Sequence, residues 1–171
     1  VETAKWFLDL FGKDYYLEVQ NHLYSTYAAE AENAEIKEEL MKGEEMTKKI
    51  NEGVIKVSRE LGIPILATND AHYVKKEDAN AQDALVCVAT GKNISDTKRL
   101  RFIDSPTYYI KTPEEMAELF PEHPDALENT VKIAKQCEVS LILDKWFFPE
   151  YELLEAKSAD EELKIMANRG L

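Results

Sequence analysis

Cysteine is nearly absent. Cys87 and Cys137 are the two in 171 residues, far apart and in no C-x-x-C unit, which excludes a disulfide framework and a cysteine zinc site. Each falls in an apolar helical pattern, where a thiol behaves as a small hydrophobe, and a reducing, cytoplasmic setting is the expectation. Long apolar runs are missing too: nothing approaches the ~20 residues of a membrane helix, and no leader-peptide pattern opens the chain. Basic residues are in deficit, 21 Lys and Arg against 33 Asp and Glu for a net charge of −12. Nucleic-acid surfaces work by displacing counterions with Lys and Arg, so this balance argues against a general DNA-binding surface. The densest basic stretch, Lys92, Lys98, Arg99, Arg101 and Lys111, is diluted by Asp96 and Asp104 and reads as a solvated loop. G-x-S-x-G, the phosphate-binding G-x-x-x-x-G-K-[ST] and G-x-G-x-x-G are all lacking.

What is present is an alternation of helical and extended patterns. "TAKWFLDLF" carries Trp6, Phe7, Leu10 and Phe11 at helical spacing and stops at Gly12. "DYYLEVQ" alternates as a short strand with Glu18 on one face. Residues 21–27 read as a loop, and 30–61 as a charged amphipathic helix, or two helices divided at Gly43 or Gly53. Gly62 and Pro64 end it, and "IPILAT" follows as a buried strand. Strand, helix, apolar strand is the signature of a βαβ unit with a parallel sheet.

Beyond it, 77–90 reads as a helix stopped by Gly91 and 108–111 as a short strand. Thr112, Pro113 and Glu115 form a capping box at the next helix start. Residues 124–137 follow a helical pattern, and "VSLILDKWFFPEY" reads as a strand-like run ending at Pro149. A last helix is capped by Ser158 with Glu161. Trp6, Trp146, Phe147 and Phe148 read as core residues. The fold class expected is α/β and helix-rich, divided near residues 74–78. The start at Val1 and the stop after "ANRGL" read as a piece cut from a longer polypeptide.

One stretch carries chemistry. In "ILATNDAHYVKK" an apolar strand ends on Asp70-x-His72, at the strand end where parallel α/β proteins gather functional side chains. An Asp oxygen and a His nitrogen suit zinc, manganese or iron. A catalytic metal takes at least three protein donors, and Glu18 and His22 are the further candidates nearby. Equally, Asp after a strand caps turns, and a lone His is commonly a hydrogen-bonded packing residue. His123, in "PEHPD", reads as a solvated loop residue.

Read together, "YYLEVQNH", "LGIPILATNDAHYVKKEDANAQDALVCVATGKNISD", "RLRF", "YYIKTPEEMAELF", "PDALENTVKIAKQCEV" and "WFFPEY" resemble, in this order, the family of bacterial DNA polymerase III alpha subunits. The resemblance runs from about Asp14 to the chain end. It implies that residues 1–76 are the C-terminal part of a PHP domain, a distorted β/α barrel with metals at its strand ends. Residues 77–171 would be a mainly helical segment leading into the polymerase palm region. "ATNDAHY" matches the family's final metal motif, so Asp70 and His72 carry over as ligands of zinc or manganese. Glu18 and His22 fall in matching blocks as site-lining residues without an assigned ligand role.

The family's earlier ligands, including an H-x-H block, and the Asp residues of its polymerase site lie outside this stretch. No catalytic residue is assigned here, and the stretch alone is expected to be inactive, with bare sheet edges where barrel strands are missing. Residues 30–49 are longer and more charged than the family's usual connection. The resemblance further implies a parent that synthesises DNA on a template with magnesium, with a PHP site that in some members proofreads as a 3′–5′ exonuclease. Its partners would be DNA, deoxynucleotides, a sliding clamp, a clamp loader and in some members a separate proofreading subunit, with no membrane. Two rivals stand beside this reading: a stand-alone PHP-type phosphoesterase and a non-catalytic acidic helical interaction module.

Overall fold

A computed structural model describes residues 1–149 and 151–170. It divides into two compact units, Val1–Cys137 and Glu138–Leu171. The first is built on two parallel strands, β1 (Leu17–Gln20) and β2 (Ile65–Thr68), paired from Leu17 with Ile65 to Gln20 with Thr68. Before them runs α1 (Glu2–Phe11), closed by Gly12 at φ 55°. Between them lie α2 (Tyr24–Glu30) and α3 (Ala34–Leu61), the βαβ order the sequence implies. After them come α4 (Ala79–Thr90), α5 (Pro113–Leu119) and α6 (Pro124–Gln136). The inner face of the sheet, Val19, Ile65 and Ala67, packs on Phe120 and Ala126. Each Val or Ile side chain so buried contributes roughly 1.5–3 kcal/mol.

The helix expected over residues 30–61 is a single helix from Ala34 to Leu61, with Glu30 closing α2 instead. Asn33 caps it, its side chain accepting from the Glu35 and Ile36 amides at 2.9 and 3.2 Å, and Gly62 ends it at φ 68°. It runs straight through Gly43 and Gly53. At Gly43 α2 comes close: a Cβ there would sit 3.2 Å from the Tyr24 ring. That contact corrects the reading of 21–27 as a loop, since α2 begins at Tyr24. This short helix has no side-chain cap and is made by docking on α3, with Ala28 fully buried.

Three further expectations change. Residues 108–111 do not form a regular strand; Tyr109 makes a single parallel bridge with Tyr73. The basic stretch is a solvated loop only in part: Lys92 and Lys98 are exposed, but its arginines are not free. Arg99 grips Asp83 on α4 through two bonds of 2.6 and 2.7 Å, with those side chains 1% and 7% exposed. Arg101 grips Asp104 in the same way, at 2.6 and 2.7 Å. The sheet has two strands and shows no barrel among the described residues. Its edges are met in part by side-chain amides. Asn51 of α3 accepts from the Gln20 N–H at 3.4 Å and donates to the Gln20 carbonyl at 2.7 Å. Asn129 of α6 donates to the Ile65 carbonyl at 2.9 Å. The compact unit continues across residues 74–78, where the two family regions were expected to meet, as far as Cys137.

In the second unit, α7 (Ala159–Gly170) starts at Ser158, whose hydroxyl accepts the Glu161 amide at 3.3 Å. Glu162 is buried and accepts the amides of Glu155 and Ala156 at 3.0 and 2.8 Å. Residues 139–149 form no strand: no neighbouring strand among the described residues takes up their backbone hydrogen bonds, and extended chain without one has no reason to stay extended. Trp146, Phe147 and Phe148 are exposed, as is Trp6 of α1 in the first unit, so none of the four is a core residue here.

Candidate functional site

The site is built where β2 ends. Asn69 follows Thr68 and turns its carboxamide onto the segment 107–111. Its Nδ2 donates to the carbonyls of Thr107 and Tyr109 at 2.9 and 2.6 Å. Its Oδ1 accepts from Lys111 Nζ at 2.7 Å. Lys111 also donates to the Thr107 carbonyl and lies 4.5 Å from the Tyr109 ring centroid. Burial draws its ammonium down to about 8.

Asp70 then adopts φ 50°, the left-handed region that Asp tolerates better than most side chains. This kink lets the chain come back on itself within two residues. The His72 amide donates to the Tyr108 carbonyl at 2.7 Å. The His72 ring leans on Phe102, with centroids 4.3 Å apart, and stands 5.6 Å from Tyr108. As a result Asp70 Oδ2 lies 3.4 Å from His72 Nε2, with the side chains 50% and 34% exposed. An oxygen and a nitrogen donor meet at one solvent-facing point.

His22 lies on the other side of Tyr108 and does a different job. It is buried and stacks on Tyr108 at 4.2 Å. Nε2 is 3.2 Å from Gln20 Oε1, and Nδ1 is 3.2 Å from the Thr107 hydroxyl. Gln20 turns its amide nitrogen to Glu18 at 3.1 Å, so its oxygen faces the ring. That assigns the proton to Nε2 and makes Thr107 the donor to Nδ1. Burial first, and then the positive charge of Lys111, lower the imidazole to about 4, so it is neutral at physiological pH. With both nitrogens occupied, His22 ties the end of β1 to residues 105–108. Ser105 adds a bond to its carbonyl at 2.5 Å.

Glu18 is exposed on β1 and bonds Gln20 and the Thr68 hydroxyl. It lines a pocket with Gln20, Thr47, Ile50 and Asn51, a lining that includes neither Asp70 nor His72. Among the described residues no group of three His, Cys, Asp or Glu side chains stands where it could hold a metal ion. Asp70 and His72 bring together two donor atoms, fewer than the three protein ligands that a catalytic zinc takes. The sequence reading missed Asn69, Phe102, Thr107 and Tyr108, and placed Lys111 in the wrong surroundings. The one local signal was the Asn69–Asp70 pair after an apolar run, since the partners lie about forty residues on.

No protein-family model matches the chain. Individual relatives do. The DNA polymerase III subunit alpha of Borreliella burgdorferi is 40% identical over 168 residues, covering 97% of this chain and 13% of that protein. That of Treponema pallidum is 36% identical over 172 residues, 99% and 13%. That of Chlamydia pneumoniae is 38% identical over 160 residues, 86% and 13%. Over nearly its whole length the chain is thus homologous to DNA polymerase III alpha subunits, of which it spans about 13%.

Proposed function

We propose that residues 1–76 are the end of the PHP domain of a replicative polymerase alpha subunit, that 77–171 lead toward its palm region, and that Asp70 and His72 are two ligands of its divalent metal cluster. The observation that carries the reading is the 3.4 Å approach of Asp70 Oδ2 to His72 Nε2 at an open strand end, produced by a left-handed Asp70. Non-glycine residues held in that region gather at functional sites. Zinc or manganese bound there, with ligands from the rest of the parent, would activate water and neutralise charge on a scissile phosphodiester, the chemistry of a 3′–5′ exonuclease. Template-directed synthesis with magnesium, DNA, deoxynucleotides, clamp, clamp loader and any separate proofreading subunit belong to the parent on this reading.

The test is metal content in the full-length parent, by plasma mass spectrometry after dialysis. Loss of a residue that merely supports a ligand costs about 10–100-fold in affinity, so Asp70→Ala and His72→Ala should each lower bound zinc or manganese by at least about tenfold. Wild-type content in both variants would end the ligand assignment and favour a non-catalytic acidic module.

A further inference from the structure

We propose that Lys111 is a positioning residue for the Asp70–His72 pair, acting through the Asn69 carboxamide. The inference rests on the reading of that pair as metal ligands for its function, but not for its geometry. A carboxamide has two ends that differ only in which carries protons. Both N–H groups of Asn69 are spent on alternate carbonyls, Thr107 at 2.9 Å and Tyr109 at 2.6 Å. That leaves Oδ1 needing a donor in half-buried surroundings, and Lys111 Nζ supplies it at 2.7 Å. The amine closes the ring by also donating to the Thr107 carbonyl, and its place over the Tyr109 face restrains it. The opposite amide orientation would set N–H groups against an ammonium and an oxygen against two carbonyls. The lysine therefore fixes which way Asn69 faces.

Asn69 immediately precedes the left-handed Asp70. The other end of the turn is pinned to the same segment by the His72 amide on the Tyr108 carbonyl, at 2.7 Å. Lys111 bonds Asn69 and Thr107, so its influence on the donor pair passes through the turn. With both ends of a four-residue turn held on one segment, the imidazole returns toward the Asp70 carboxylate. Releasing the Asn69 end frees the turn while His72 keeps its backbone bond.

The test uses this chain, first metal-free and then titrated with Zn²⁺ alone. Nuclear Overhauser contacts between the His72 and Phe102 rings, whose centroids lie 4.3 Å apart, report the turn without any metal. Lys111→Met should weaken them at least twofold and lower Zn²⁺ affinity about tenfold. In an Asn69→Ala background the same change should add nothing, because its route is already cut. Additive effects, or ring contacts unchanged in Lys111→Met, overturn the proposal. Should Lys111→Met fail to fold, Asn69→Ala alone decides: intact ring contacts overturn it, lost ones support it. If wild type takes up no Zn²⁺ yet loses the ring contacts on mutation, the positioning stands and it is the metal role of the pair in this chain that falls.

Discussion

His22 shows how one side chain can look like a ligand in a sequence and be a fastener in a fold. Its two nitrogens are occupied by Gln20 and Thr107, and Thr107 lies 85 residues away along the chain. No local pattern signals such a partner, which is why "QNH" suggested only a site-lining role. A buried neutral imidazole has a consequence in acid. Its folded value, about 4, lies below the ordinary 6.5, so the unfolded chain takes up the proton first. The stability it contributes is complete above pH 6.5 and is lost as pH falls from there toward 4. Between pH 7 and 5 that loss reaches at most about 2 kcal/mol. Urea unfolding of wild type and His22→Gln at the two pH values measures it: the variant should lose most of the slope, and an unchanged slope would remove His22 as its source. The approach of Asp70 to His72 was legible because the two lie within three residues. The turn that joins them was not, because Asn69, Phe102 and Lys111 are assembled from across the fold.

Elements with punctuation of their own were legible. Gly12, Gly62 and Gly91 end their helices at positive φ, the last two in the left-handed helical region. Thr112 and Glu115 form the reciprocal cap on α5, and Ser158 opens α7. Elements that exist only against a neighbour were misread: α2 rests on α3, and residues 108–110 meet 72–74 through one bridge and a few backbone bonds. The two glycines inside α3 make this difference measurable. A methyl group added at Gly53 would meet nothing within 4 Å, whereas at Gly43 it would stand 3.2 Å from the Tyr24 ring. Alanine in a helix interior gains up to about 1 kcal/mol over glycine. Thermal melts should show Gly53→Ala raising the midpoint, Gly43→Ala gaining less, and Gly43→Val lowering it as α2 is pushed off. Equal gains at both glycines would mean that Tyr24 is not what keeps position 43 bare.

At the scale of the molecule, the βαβ core and helix-rich α/β class were legible from pattern alone. The compact unit's limit at Cys137 was not, because the stretch after residue 77 reads as separate helices. Its side chains nonetheless complete the site: Phe102, Tyr108 and Lys111 wall and brace the turn, and Phe120 and Ala126 cover the sheet. A chain ended after residue 76 should therefore lose cooperative melting by circular dichroism, while one ended after residue 137 keeps it together with the His72–Phe102 ring contacts. A cooperative 1–76 piece would show that the two stretches fold independently. Because no group of three His, Cys, Asp or Glu side chains comes together among the described residues, calorimetry of the 171-residue chain should give a Zn²⁺ affinity weaker than about 1 μM; tighter binding would require a ligand beyond Asp70 and His72.

The asparagines that meet the sheet have a bearing on how copies of this chain behave in concentrated solution. A carboxamide is chemically a peptide group without a chain attached. Asn51 thus offers Gln20 the acceptor and donor that an added strand would offer, and Asn129 offers Ile65 a donor, but each ends there and passes nothing on. There an arriving chain finds hydrogen-bonding places already taken, which blunts edge-to-edge growth at those positions. Attraction between copies then falls mainly to side chains, the exposed Trp6, Trp146 and Phe148 among them. Clumping should then respond more to aromatic substitution than to changes along the strands.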